Sequence, residues 1–236
     1  MKRPGISDLV RPVLALLATA IVFVGPPPVL AGHPAQVTDE TLTRYEQFIL
    51  EGCSPCMKES VPIATLQVPA VRIGALPKAI AARTTRAGEI GVETLRAHML
   101  GRPSRQLLAV RLILSMATGN PNETYRFASG IVDEEEVGAF VSGLAEIAQA
   151  AAATTAAKAE DDVVEIDLHN GSVRVGVLRL KGESVVFVQA GDVRVMTRRP
   201  VWDTPATLFL PLADLAKLRG AVGQAAETMR KLRVGQ

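Results

Sequence analysis

The stretch VEIDLHNGSVRVGVLRLKGESVVFVQA, residues 164–190, decides the expected fold. Its first segment places apolar side chains at every second position: Val164, Ile166 and Leu168. This period of two buries one face of a strand and leaves the other face in water. Asn170-Gly171 tolerates the positive φ angles of a type I′ hairpin turn, and Lys181-Gly182 marks a second turn. We therefore predict an antiparallel β-meander.

The second strand of this meander departs from simple alternation. Val173 and Val175 share one face of the strand. Leu178 and Leu180 fall on the opposite face. One extra residue near Gly176-Val177 would return all four side chains to one face, so the pattern predicts a β-bulge there.

A helix is expected after each of two sheets. The first follows a strand at 125–130 and begins at Asp133, which forms a capping box with Glu136. Its apolar positions recur at helical spacing: Val137, Phe140, Val141, Leu144, Ile147, Ala148 and Ala151. The second follows a strand at 206–210 and begins at Pro211. Its apolar positions are Leu212, Leu215, Leu218, Val222, Ala225 and Met229.

The sequence thus predicts an α+β fold, with antiparallel β-sheets each followed by a packed C-terminal helix. The repeated order of elements is also compatible with a tandem duplication. Before the first sheet, helical spacing begins near Asp39 and is expected to end at Gly52. Residues 61–68 indicate an edge strand, since Pro62 cannot donate a ladder hydrogen bond. For residues 106–114 a buried strand and a helix both stay open.

The first 31 residues have the layout of a secretory leader. Lys2 and Arg3 precede an apolar run over residues 13–24, and Val29-Leu30-Ala31 offers small residues for cleavage. Twelve helical residues span roughly 18 Å, short of the roughly 30 Å hydrocarbon core of a bilayer. We predict a signal peptide over residues 1–31; retention as a membrane anchor is the alternative.

After the leader, two units are expected. An α+β domain with the cysteines spans 32–152, and a meander-plus-helix domain spans 153–236. The alanine-rich stretch 149–162 marks the boundary between them.

Charge and hydropathy limit the partners of the chain. It has 26 basic and 24 acidic residues; the leader contains three basic residues and one acidic residue, so 23 of each remain after cleavage. Nucleic-acid binding draws much of its affinity from neutralised phosphates, so nucleic acid is not an expected partner. No later stretch has the apolar length of a transmembrane helix.

Cys53 and Cys56 are the two cysteines of the chain. Outside the cytosol such neighbours pair, and we predict a disulfide that acts as a structural clip. The alternative is a thiol–disulfide redox pair, which needs a helix leaving the motif, whereas here a helical pattern enters it. A zinc site needs four ligands, and Met57 occupies the histidine position of a haem-attachment motif. No metal or cofactor is therefore predicted.

Two charged clusters complete the candidate residues. With the predicted bulge, Arg174, Arg179 and Lys181 could line one sheet face and bind an anion. The acidic run at 134–136 is explained by its position at a helix start, where negative charge is favourable. We expect no catalytic residue among these groups.

These observations together indicate an exported protein, periplasmic or secreted, that is a non-catalytic binding or assembly module. Its partner would be another protein or an anionic surface. The alternatives are a redox protein that uses Cys53 and Cys56, and an anion-binding module that uses the basic sheet face.

Overall fold

The computed structural model describes residues 42–70, 87–117, 125–155, 164–180, 183–191 and 207–234. These residues form a mixed helix and strand fold with two antiparallel sheets, and a helix follows each sheet. The predicted fold class is confirmed. Among the described residues, none of the helices has the length and apolar character needed to cross a membrane.

The first half of the fold starts with a short helix. Its elements are α1 (Arg44–Gln47), a π-helical turn (Phe48–Gly52), β1 (Cys56–Val68), β2 (Gly88–Met99), β3 (Arg102–Ala117), β4 (Tyr125–Asp133) and α2 (Glu134–Thr155). The second half repeats the order of four strands and one helix. Its elements are β5 (Val164–Asn170), β6 (Val173–Leu180), β7 (Glu183–Ala190), β8 (Thr207–Leu210), a 3-10 turn (Leu212–Asp214) and α3 (Leu215–Val234).

Each sheet keeps its strands in chain order. The first sheet has the order β1-β2-β3-β4, and the second sheet has the order β5-β6-β7-β8. Residues 106–114 lie in β3, so the open choice between strand and helix is decided for a buried strand. β1 is an edge strand, as predicted, and its pairing with β2 shifts between Pro62 and Ala64. This shift and the proline both hinder the exposed edge of β1 from pairing with a strand of another chain.

The N-terminal helix is shorter than its apolar spacing predicts. It ends at Gly52, as expected, but begins at Arg44 after the N-cap Thr43. The Thr43 hydroxyl accepts a hydrogen bond from the Glu46 amide, and the Glu46 carboxylate accepts one from the Thr43 amide. This capping box fixes where the helix starts.

The first hairpin of the second sheet is displaced by one residue from its prediction. Asn170 pairs with Val173, so the two loop residues are Gly171 and Ser172. Gly171 has a φ of 53°. Ser172 accepts a hydrogen bond from the Ile131 amide at 2.7 Å through its hydroxyl, and its own amide donates to the Ile131 carbonyl at 3.2 Å. This contact with β4 sets the position of the turn.

The predicted β-bulge in β6 is wrong. The register of β6 with β5 and with β7 is continuous across Gly176 and Val177. The reason is that both faces of this central strand are buried: Val175 and Val177 lie in the main core, and Leu178 on the other face is also fully buried. A strand covered on both faces need not alternate apolar with polar residues. Its apolar run therefore has the same pattern as a strand with one extra residue.

Both helices pack as their apolar stripes predict. Val137, Phe140 and Leu144 of α2 are buried, as are Leu218 and Val222 of α3. Apolar residues from both sheets and both helices belong to one hydrophobic core.

The helices also link the two halves. α2 packs against β5 of the second sheet as well as against β3 and β4. α3 packs against β1, β2 and β3 of the first sheet. The Thr94 hydroxyl of β2 donates a hydrogen bond to the Ala225 carbonyl of α3 at 3.2 Å, and both residues are fully buried.

Two predictions about chain organisation fall partly or wholly outside the described residues. The leader 1–31 lies there, and so do residues 156–162 of the predicted linker. The predicted boundary between 152 and 153 lies within α2, which extends to Thr155. The division into two domains therefore stays a prediction.

Candidate functional site

The two cysteines form a disulfide where α1 and its π-helical turn pass into the first sheet. Cys53 follows the turn, and Cys56 is the first residue of β1. The two sulfur atoms are 2.11 Å apart and the Cα atoms 4.8 Å apart. The Ser54-Pro55 peptide bond between them is cis.

The disulfide lies against the apolar contacts that hold α1 on the first sheet. Cys53 is buried, and Cys56 packs on a small cluster formed by Tyr45, Leu95, Ala97 and Ala109. The Pro55 carbonyl accepts a hydrogen bond from the Leu100 amide at 3.0 Å. The disulfide thus links the helical segment to the edge strand, and the Pro55 hydrogen bond links the same loop to the turn between β2 and β3.

The position of Cys53 disfavours a reactive thiolate. Reactive cysteines of redox motifs lie at helix N-termini, where the positive end of the helix dipole lowers the thiol pKa. Cys53 lies instead at the carbonyl end of α1 and its π-helical turn, and a strand leaves the motif in place of a helix. The arrangement can therefore connect two elements, but it lacks the feature that activates a thiol.

Asp133 forms a second junction, between β4, α2 and α1. Its carboxylate was expected to cap its own helix, but it accepts hydrogen bonds from the amides of Arg44 at 2.6 Å and Tyr45 at 3.0 Å. These amides belong to the first turn of α1, whose N–H groups have no partner within the helix. A residue close to 90 positions away in sequence therefore anchors α1 to the sheet.

Burial dominates the electrostatics of this junction. It raises the pKa of Asp133, although the hydrogen bonds from Tyr45 and Arg44 offset part of that effect. Burial and the neighbouring Asp133 charge also raise the pKa of Glu136, which a hydrogen bond from the Asp133 amide partly counters. Of the predicted capping box, the hydrogen bond from the Asp133 amide to the Glu136 carboxylate is present, whereas the Asp133 carboxylate binds α1. One carboxylate oxygen of Glu136, Oε2, is buried without a hydrogen-bond partner.

The other two acidic residues of the run at 134–136 form ion pairs with the terminal elements of the fold. Glu135 pairs with Arg44 of α1, and this hydrogen bond raises the pKa of Arg44. Glu134 pairs with Arg233 in the last turn of α3. Within the described part of the chain, no cluster of three or more histidine, cysteine, aspartate or glutamate side chains could hold a metal ion. The run serves to hold helices together.

Of the three predicted anion-binding residues, only Arg174 has a described side chain. The Arg174 guanidinium lies over the Phe187 ring, 5.4 Å from its centroid, and donates a hydrogen bond to Gln189 Oε1 at 3.4 Å. The side chain of Arg179 and the whole of Lys181 lie outside the described residues. The hypothesis relied on a bulge at Gly176-Val177 to bring Arg174 and Arg179 to one face, and the continuous register of β6 removes that premise. Anion binding by these residues stays an untested prediction.

Sequence reasoning missed two features of this region. The first is the capture of α1 by Asp133, which no local pattern indicates. The second is a set of exposed apolar side chains near the disulfide: Leu50, Met57 and Leu100. A leucine in the two-residue turn Leu100-Gly101 was the available signal, since such turns favour polar residues and glycine.

No known protein-family model matches the chain, and no curated protein matches its sequence.

Proposed function

We propose that the chain is an exported, non-catalytic binding or assembly protein, periplasmic or secreted, whose Cys53–Cys56 disulfide is a structural clip. One observation carries this proposal: Cys53 closes a helical segment and Cys56 opens an edge strand. A clip at this point fixes α1 on the sheet and requires no reactivity of either sulfur.

The charged residues support the same interpretation. The carboxylates of Asp133, Glu134 and Glu135 are all engaged in holding α1 or α3 in place. Chemistry-bearing side chains with such structural partners are poor candidates for acid–base catalysis. Because these described carboxylates have structural roles, we expect the protein to act through its surface rather than through acid–base catalysis.

Export is tested by expressing the chain with its leader and fractionating the cells. We expect the protein in the periplasm or medium, with an intact mass that corresponds to cleavage after Ala31 and an oxidised cysteine pair. Recovery of the uncleaved chain from the cytosol with reduced cysteines would contradict the proposal.

The redox alternative is tested by turnover. The protein is incubated with dithiothreitol and a disulfide-containing substrate such as insulin, beside its Cys53→Ser/Cys56→Ser variant. We expect the two proteins to give the same rate as dithiothreitol alone. A rate above that background, lost in the variant, would establish the redox function instead.

A further inference from the structure

The disulfide end of the first sheet exposes large apolar side chains, one of them on the β2–β3 turn. Leu100 occupies the β2–β3 turn with Gly101, whose φ is 77°, and its side chain is 58% exposed. Met57 of β1 is 43% exposed and Leu50 of the π-helical turn is 70% exposed. Isolated exposed apolar residues are ordinary on protein surfaces, so their grouping matters more than their number.

The backbone brings these side chains to one end of the fold. The Leu100 amide donates to the carbonyl of Pro55, which is itself exposed. Met57 pairs with His98, two positions before Leu100. Leu50 lies three residues before Cys53, which the disulfide holds beside the start of β1. We name the group formed by Leu50, Pro55, Met57 and Leu100 the apolar tip.

Exposed basic residues lie next to the apolar tip along the chain. Arg102 and Arg105 are exposed just after the turn, and Lys58 is exposed beside Met57. Arg105 lies close enough to donate to the Met99 sulfur at 3.9 Å. Two acidic residues lie on these segments. Glu59 forms an ion pair with Arg96 at 3.6 Å, so the negative charge of Glu51 is opposed by the three positive charges named above. The tip is therefore positive although the chain without its leader is balanced in charge.

We propose that the apolar tip docks onto an anionic phospholipid surface. Apolar side chains with basic neighbours bind at the headgroup boundary of such a surface, where burial and charge attraction add. The positive charge beside the exposed apolar residues favours an anionic lipid surface over an uncharged protein face. The inference rests on the proposed binding function, since it names the partner.

The test is co-sedimentation of the full chain with vesicles. One set contains phosphatidylglycerol in phosphatidylcholine, and the other contains phosphatidylcholine alone. Every variant carries the same basic, apolar leader, so the tip is judged by the change in the ratio of binding to the two sets between each variant and the wild type. We expect a ratio well above one that falls as salt is added, because salt screens exposed charges.

Separate variants test the basic neighbours of the tip and the tip itself. Arg102→Gln/Arg105→Gln is expected to lower the ratio by roughly 25-fold, at about fivefold for each charge near the surface. Leu100→Ser is expected to lower binding to anionic vesicles by about tenfold through lost apolar burial, and Leu100→Met to retain it. All three positions are exposed, and circular dichroism verifies that the variants stay folded.

The matched control is Lys217→Gln/Arg219→Gln in α3. It removes the same charge from exposed positions early in the helix. This helix starts soon after β8, whose Leu208 lies beside Gly88 at the end of β2 remote from the turn. The control should keep the wild-type ratio.

Equal binding to both vesicle types, or an equal loss in the control and in Arg102→Gln/Arg105→Gln, would overturn the lipid inference. Either result leaves the proposed function intact, because that proposal is judged by processing and turnover. Redox turnover by the cysteine pair would overturn the proposed function while vesicle binding could still be measured.

Discussion

The two halves of the molecule have the same order of elements but are built differently. In each, four antiparallel strands are followed by one helix. The first half has strands of up to 16 residues and gains α1 and the disulfide clip at its start. The second half has strands of eight residues or fewer, and its central strand β6 is buried on both faces.

Despite their repeated order of elements, the two halves pack against each other through their helices. The helix of the second half covers the sheet of the first, and the helix of the first half reaches β5 of the second. The two halves should therefore unfold together. Substitutions in the common core and at the start of the first half distinguish this coupling from independent unfolding.

The largest effect is expected from Leu218→Ala in α3. Leu218 is fully buried in the common core, so its truncation should lower the free energy of unfolding by about 2–5 kcal/mol. Urea denaturation followed by circular dichroism measures this loss. The exposed neighbour change Ala216→Ser should cost about 0.5 kcal/mol.

Coupling also predicts how Leu218→Ala acts. Amide hydrogen exchange in β2 should accelerate to the same extent as exchange in α3. Two separate transitions, with β2 as protected as in the wild type, would mean that the halves are independent.

Gly130→Ala tests the contact between β4 and the β5–β6 hairpin. A Cβ at position 130 would overlap the Ser172 carbonyl, which is backbone and cannot rotate away. The expected cost is about 1–3 kcal/mol in urea denaturation. Gly138→Ala on the exposed face of α2 has open space and should stabilise by about 1 kcal/mol, so the two variants should differ in sign.

Loss of the clip should have a smaller effect. Cys53→Ser/Cys56→Ser opens a very short loop, and the chain-entropy estimate for such a loop is about 2 kcal/mol or less. Urea denaturation of the variant and the oxidised protein measures the difference. A loss far beyond this value would show that the disulfide supports more than the docking of α1.

The smallest effect is a difference in pH dependence between two carboxylates. Burial raises the pKa of Asp133 in the folded state, so its contribution to stability is present below its unfolded pKa and is lost as pH rises through the folded value. Burial also opposes ionisation of Glu93, but hydrogen bonds from Arg111 and Ser60 outweigh it and lower the pKa. The contribution of Glu93 is therefore lost as pH falls through its folded value.

Urea midpoints over a pH series test both signs. Asp133→Asn should remove part of the fall in stability between about pH 4 and pH 7, and Glu93→Gln should remove part of the fall below about pH 4. Parallel curves for the two variants would show that the signs have been wrongly assigned.

Local patterns predicted the helices and the edge strand because their burial is one-sided. The stripes of α2 and α3 face one core, and Pro62 lies on an edge strand. The bulge in β6 was wrongly predicted because two-sided burial removes the alternation on which the pattern depends. The hairpin turn was displaced because Ser172 bonds to Ile131, 41 residues away.

The same distinction applies to the candidate site. The Cys53–Cys56 pair could be predicted because its partners are three residues apart. The role of Asp133 could not, since its partners are 88 and 89 residues away. Leu100 is exposed because the pairing of Met99 with Arg102 places it in the turn between β2 and β3. A leucine taken by itself does not predict this exposure.

The most direct test of the structural role of the disulfide is an equilibrium titration of the Cys53–Cys56 pair in redox buffers of defined potential. The clip predicts that the pair is reduced only below about −300 mV, as structural disulfides of exported proteins are. A midpoint between about −120 and −270 mV, the range of thiol–disulfide oxidoreductases, would contradict it.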